Sequence, residues 1–109
     1  MAVSYKILGQ SAPSATTETV LYTVPAATET IVSTLTIANR SASDATLRVS
    51  VSDNGAATAT KDYVVYDLTC AGNGFLAFTL GITLNATDVV RVYASSANLS
   101  FNLFGSEIA

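Results

Sequence analysis

LGITLNATDVVRVYASSANLSFNLFG, residues 80–105, holds the pattern that decides the fold. Within it Leu99, Phe101 and Leu103 alternate with Asn98, Ser100 and Asn102, and Val90 and Val92 alternate with Arg91 and Tyr93. A period of two belongs to a strand with one dry and one wet face. The stretch predicts two strands, residues 89–94 and 98–104, joined as a hairpin by the small-residue turn between them, with Asp88 marking the entry to the first. A lone hairpin is marginal in water, so other strands must cover its apolar side.

Those strands are found upstream. TLRVSVS sends Leu47, Val49 and Val51 inward and Arg48, Ser50 and Ser52 outward. ETIVSTLTIAN, rich in β-branched residues, groups Ile31, Leu35 and Ile37 with Ser33 and turns Thr34 and Thr36 away. TVLYTVP sets Val20, Tyr22 and Val24 against Leu21 and Thr23 and stops at Pro25, which cannot donate to a ladder and marks a near-edge strand. KDYVVYD is apolar on both faces, Val64 with Tyr66 and Tyr63 with Val65, which suits a central strand or one facing a partner. FLAFTL aligns Leu76, Phe78 and Leu80, and residues 3–8 make a first strand. Turn-forming NRSASDA, DNG and GNG separate these segments. With no amphipathic helical window, the pattern predicts an all-β fold, a single β-sandwich, jelly-roll or Ig-like, of about eight short antiparallel strands.

The 109 residues make one domain. GQSAPSATTET separates the first strand from the body, so residues 1–19 are expected to be an N-terminal strand and flexible arm, and residues 20–109 the sandwich. The first strand pairs either within its own domain or with a neighbouring subunit.

Composition narrows function. The chain is 50% hydrophobic but only 12% charged, against about 25% charged in an average globular domain. Ala, Ser and Thr stand where Lys and Glu usually do, which leaves a weakly hydrated surface suited to lying against protein, itself included. No window approaches the roughly 18 apolar residues of a spanning helix. The N-terminus lacks a block of signal length, so synthesis in the cytoplasm is expected. Net charge is −3, and Lys6, Arg40, Arg48, Lys61 and Arg91 are scattered, so there is no basic stripe for nucleic acid.

Histidine is absent, which removes Ser-His and Cys-His nucleophile pairs and the commonest zinc ligand. Cys70 is alone and reads as a small buried hydrophobe. Asp53, Asp62, Asp67 and Asp88 lie at turns or strand ends, where carboxylates either cap backbone N–H groups or converge on Ca²⁺. Their spacing follows no calcium-loop pattern, so capping is expected, as for Asp44 and Glu107. Glu18, Glu29 and Glu107 show no reason to pair across a cleft as glycosidase acids do. Three N-x-S/T triplets, at Asn39, Asn85 and Asn98, fit chance in a Ser/Thr-rich chain. No catalytic, cofactor or metal residue is assigned. Tyr5, Tyr22, Tyr63, Tyr66 and Tyr93 suit packing or protein contact. The candidate contact surface is Tyr63, Arg91, Tyr93 and Asn102, with loops 53–61 and 71–74 the first places for a glycan or receptor.

Four segments, LGQSAP, TVLYTVPAATETIVSTLTIANRS, YVVYD and LNATDVVRVYASSANLSFNLFGSEI, span nearly the whole chain. Together they resemble small β-structured virion proteins of tailed bacteriophages, especially phages of aquatic bacteria. The likeness rests on the LYTVP strand, the NR turn and a closing block from Asp88 that ends in F-x-x-x-G-x-E. These are packing motifs, and they carry no active site across. The resemblance implies a structural protein of head, neck or tail, located in the virion. Its partners would be copies of itself and the major capsid or other virion proteins, and a capsid decoration or cement subunit is the most concrete form.

Overall fold

The inward rows of residues 80–105 meet in one core, but they arrive there from opposite sheets. A computed structural model describes residues 2–109, in which the strands are β1 (Val3–Ser11), β2 (Thr19–Thr23), β3 (Glu29–Asn39), β4 (Ala45–Ser52), β5 (Tyr63–Cys70), β6 (Phe75–Phe78), β7 (Ile82–Leu84), β8 (Val89–Ala94) and β9 (Leu99–Ile108). The only helical pieces among these residues are single 3-10 turns at Asp53–Gly55 and Thr60–Asp62, and no helix is long and apolar enough to cross a membrane. A five-stranded antiparallel sheet runs β1-β9-β3-β6, with β7 also on β3, and a four-stranded one runs β2-β8-β4-β5. Their inner faces close a β-sandwich. Leu35, Ile37, Leu99, Phe101 and Leu103 come from the first sheet, and Leu47, Val49, Val90 and Val92 from the second; all are buried in one cluster.

The expected hairpin does not form. β8 lies between β2 and β4, and β9 between β1 and β3, so neither has an edge free for the other. The link at residues 95–98 instead crosses the sandwich. The Ser95 N–H still donates to Thr46 of β4 at 2.9 Å, while Arg40, just past β3, donates its N–H to Asn98 at 2.8 Å. With both edges of each strand taken by other strands, the two can meet only face to face across the core.

Register shifts account for the other departures from strict alternation. A shift between Val32 and Thr34, where β3 meets β9, reverses the inward face. Ile31 is therefore 44% exposed, whereas Val32, Leu35 and Ile37 are buried. In β2 a shift between Val20 and Tyr22 buries Leu21 and Tyr22 side by side and leaves Val20 outside. β7 was not expected, and β1 and β9 extend beyond the predicted residues 3–8 and 98–104, because pairing with each other orders both ends.

That pairing places the first strand in its own chain's sheet. Val3 to Ser11 run antiparallel to residues 101–108, with a shift between Ile7 and Gly9. Beyond the shift the strand leans onto β2; a Cβ at Gly9 would strike the Leu21 carbonyl. Before it, residues 3–7 stand clear, with side chains exposed on both faces.

Phe101, fully buried at the core's centre, makes the sharpest stability test. Phe101→Ala should lower unfolding free energy by about 3–5 kcal/mol, read as a fall in denaturant midpoint at unchanged slope. A loss below about 1 kcal/mol would contradict a packed core at this position.

Candidate functional site

Alternation in β4 and β8 sends Arg48, Arg91 and Tyr93 to the outer face of the four-stranded sheet, where Arg48 sits opposite Tyr93 and Ser50 opposite Arg91. β5 completes the face. Strict alternation would put Tyr63 and Tyr66 on opposite sides, but β5 shifts register twice against β4, and Asp67 adopts a left-handed φ of 51°. Tyr63 and Tyr66 consequently meet edge to face, with centroids 4.8 Å apart. The Arg48 guanidinium lies over the Tyr66 ring at 4.3 Å and the Tyr93 ring at 4.5 Å. It also donates to Asp67 Oδ1 at 2.7 Å, and that bond holds its pKa above the ordinary arginine value.

Arg91 is tied down differently. Its Nη1 donates to Ser52 Oγ at 2.8 Å, the Ala56 carbonyl at 3.0 Å and Thr58 Oγ1 at 3.2 Å, which pins loop 53–58 against the sheet. Beneath this cluster the Ser50 hydroxyl is buried without a hydrogen-bond partner. Tyr63, Arg91 and Tyr93 thus share one face of the molecule. Asn102 does not join them. It lies on the outer side of the five-stranded sheet, where it accepts a bond from Gln10 Nε2 at 2.7 Å. Arg48 and Tyr66 complete the cluster and were absent from the expected set, because their meeting depends on cross-strand register and an irregular β5.

The outer side of the five-stranded sheet carries an exposed apolar tract. Tyr5 and Ile31 both oppose Ser106, and Ile7 opposes Phe104, so these side chains form one tract around a shallow groove. Tyr5 is 85% exposed.

Asp62, Asp88 and Asp44 serve the turns, whereas Asp67 and Glu107 bond side chains instead of capping. Asp62 accepts from the Ala59 N–H at 2.9 Å and from Lys61 Nζ at 3.0 Å, and these bonds, the backbone one foremost, hold its pKa below the usual range. Asp88 accepts from the N–H groups of Asn54 at 2.9 Å and Asn85 at 2.8 Å; burial pushes its pKa up, but these bonds leave it low. Asp44 accepts from the Gly72 N–H at 2.9 Å. No group of three or more His, Cys, Asp or Glu side chains gathers among the described residues. Cys70 is buried in the core, and burial pushes its thiol pKa up.

Glu107 faces inward beside Thr30 of β3, whereas Glu29 starts that strand on the other side. Glu107 pairs with Lys6 Nζ at 2.5 Å and accepts from the Tyr22 hydroxyl at 2.5 Å; the same hydroxyl lies 2.8 Å from Thr30 Oγ1. Lys6, then Tyr22, holds the Glu107 carboxyl below its ordinary value. Burial, then Glu107, pushes the Tyr22 phenol up to about 12. At the opposite end buried Asn39 donates from Nδ2 to the carbonyls of Ser43 at 2.8 Å and Cys70 at 3.1 Å, and Arg40 donates to Ser100 Oγ at 2.9 Å and the Ala97 carbonyl at 2.8 Å. No family model, curated protein or solved structure matches the chain.

Replacing Arg48 with Met should free the tyrosines it orders. Near-ultraviolet circular dichroism should lose intensity while the far-ultraviolet spectrum stays unchanged; an unchanged near-ultraviolet signal would contradict the stacking.

The pKa directions set a pH profile. Glu107, Asp62 and Asp88 are lowered on folding, so their contribution is complete above the unfolded carboxylate range, about pH 4, and is lost as pH falls through their folded values. Tyr22 is raised from 10.0 to about 12, so its contribution is complete below pH 10 and is lost between about pH 10 and 12. Glu107→Gln should flatten the acid limb and Tyr22→Phe the alkaline one, read from denaturant midpoints across pH. Unchanged limbs would show that the Tyr22–Glu107 pair carries neither.

Proposed function

We propose that this chain is a non-enzymatic structural protein of a tailed-phage virion, most concretely a capsid decoration or cement subunit working as an oligomer. The observation that carries the proposal on the molecule is the exposed apolar tract on the five-stranded sheet, where Val3, Tyr5, Ile7 and Ile31 are 47%, 85%, 52% and 44% exposed. A surface of this kind, on a chain with 12% charged residues, is covered in the working state by another protein. Sequence segments resembling small virion proteins point to capsid or other virion proteins and copies of the chain itself as that cover, and to synthesis in the host cytoplasm followed by residence in the particle.

The polar groups support the same role. Glu107, Asp62 and Asp88 satisfy backbone or buried partners, and such groups serve closure of the fold rather than proton transfer. A glycan- or receptor-binding module is the alternative that the Tyr63, Tyr66 and Tyr93 cluster favours. Arg48 already covers faces of two of those rings, which leaves less ring surface for a sugar.

Quantitative mass spectrometry of purified particles tests the proposal. Hundreds of copies per particle are expected for decoration. About a dozen copies would place the protein instead at the neck, the tail or a fibre attachment, where rotational symmetry sets the number. Its absence from particles would overturn the virion assignment.

A further inference from the structure

We propose that the free edge of β1 pairs antiparallel with β1 of a second copy about a two-fold axis through Tyr5, joining the five-stranded sheets of two subunits into one. The hydrogen-bond phase of the edge leads to this pairing. Ala2 and Ala109 exchange backbone bonds, at 2.7 and 2.9 Å. Bonded pairs recur at every second residue of an antiparallel ladder, so Ser4 with Glu107 and Lys6 with Gly105 are the next. Val3, Tyr5 and Ile7 therefore direct their N–H and C=O groups away from β9. Among the described residues no strand pairs on that side, because β1 ends the sheet.

The other edges are blunted as protein edges usually are. β2 has 5 residues and leads into Pro25. β5 is interrupted by register shifts and the left-handed Asp67. The β6 and β7 edge is split into pieces of 4 and 3 residues around Gly81. β1 runs for 9 residues without proline. Its one charge, Lys6, points to the inner side and is held by Glu107, so it does not guard the edge.

The strand is also self-complementary. Pairing about Tyr5 puts Val3 opposite Ile7 of the second copy and Tyr5 opposite its own image, so every outward donor and acceptor on these residues is met. Their side chains share the outer face, and the apolar tract continues across the axis. A slip that centres the pair on Lys6 sets Val3 opposite Gly9, past the register shift where the strand already leans on β2. A slip that centres it on Ser4 leaves Ile7 beyond the start of the other β1. A second copy thus fits where a generic strand would lack a preferred register.

Sedimentation of the full chain at sub-millimolar concentration tests the pairing, and it does not depend on the virion assignment, which particle copy number tests separately. The wild-type chain should be dimeric. Tyr5→Lys should raise the dimer dissociation constant by about tenfold or more, by opposing two charges on the axis. Tyr5→Pro should do the same by removing an outward N–H that β9 does not use; if proline also lowers the circular dichroism signal, the Lys variant decides. Tyr5→Cys should form a disulfide dimer under mild oxidation, since self-opposed Cα atoms about 5.5 Å apart fall within disulfide reach, and buried Cys70 does not compete. A monomeric wild type, a dimer that survives Tyr5→Lys, or a Tyr5→Cys chain that crosslinks no faster than one carrying Val20→Cys on β2 would each overturn the proposal.

Discussion

The burial of one row of side chains on a doubly paired strand is the constraint from which the rest of this molecule follows. Leu99, Phe101 and Leu103 are at most 1% exposed, and β9, which carries them, is hydrogen-bonded to β3 on one side and β1 on the other. With both edges occupied, β9 can be covered only from its face. The facing layer must come from the other sheet, and β8, four residues earlier in the chain, supplies Val90 and Val92. The crossing between them converts an apparent hairpin into the seam of a sandwich.

Hydrophobic burial is non-directional and does not by itself set how two sheets close. Polar groups at the two ends do that. A buried phenol must find a partner, and Tyr22 finds Thr30 and Glu107, which link β2 of one sheet to β3 and β9 of the other. At the far end Asn39 and Arg40 tie β3 to the 43–44 turn, to the end of β5 and to the crossing at residues 95–98. Tyr22 belongs to LYTVP, Asn39 and Arg40 form the NR turn, and Glu107 closes F-x-x-x-G-x-E. These sequence segments thus supply the polar residues that close the sandwich at its two ends.

What was legible in the sequence was the inward face of each regular strand. Leu47 and Val49 of β4, Val90 and Val92 of β8, and the β9 row all point where period two places them. What was not legible depended on a partner. The shifts after Val32, after Val20 and along β5 are set by cross-strand bonding, and no local composition marks them. They turn Ile31 outward, against strict alternation, and bring Tyr63 and Tyr66, which alternation separates, into contact. The candidate contact residues divide along the same line. Arg91 and Tyr93 follow from alternation within β8, but Arg48 joins them only through register, and Asn102, outward by the same alternation, belongs to the opposite sheet.

The irregularities also shape the surface. Each register shift spoils a strand as a template, because a bulged edge offers its donors and acceptors out of phase. β2 and β5, the edges of the four-stranded sheet, both carry such shifts. In β1 the shift falls at Ile7 to Gly9, where the strand already leans on β2, so residues 3–7 keep an unbroken ladder phase. An exposed edge of this kind is an aggregation hazard for a free monomer. Its cost is removed when a specific partner takes the edge. The fold thus concentrates its regular, unguarded backbone at one place, residues 3–7 of β1, and distorts or shortens its other edges.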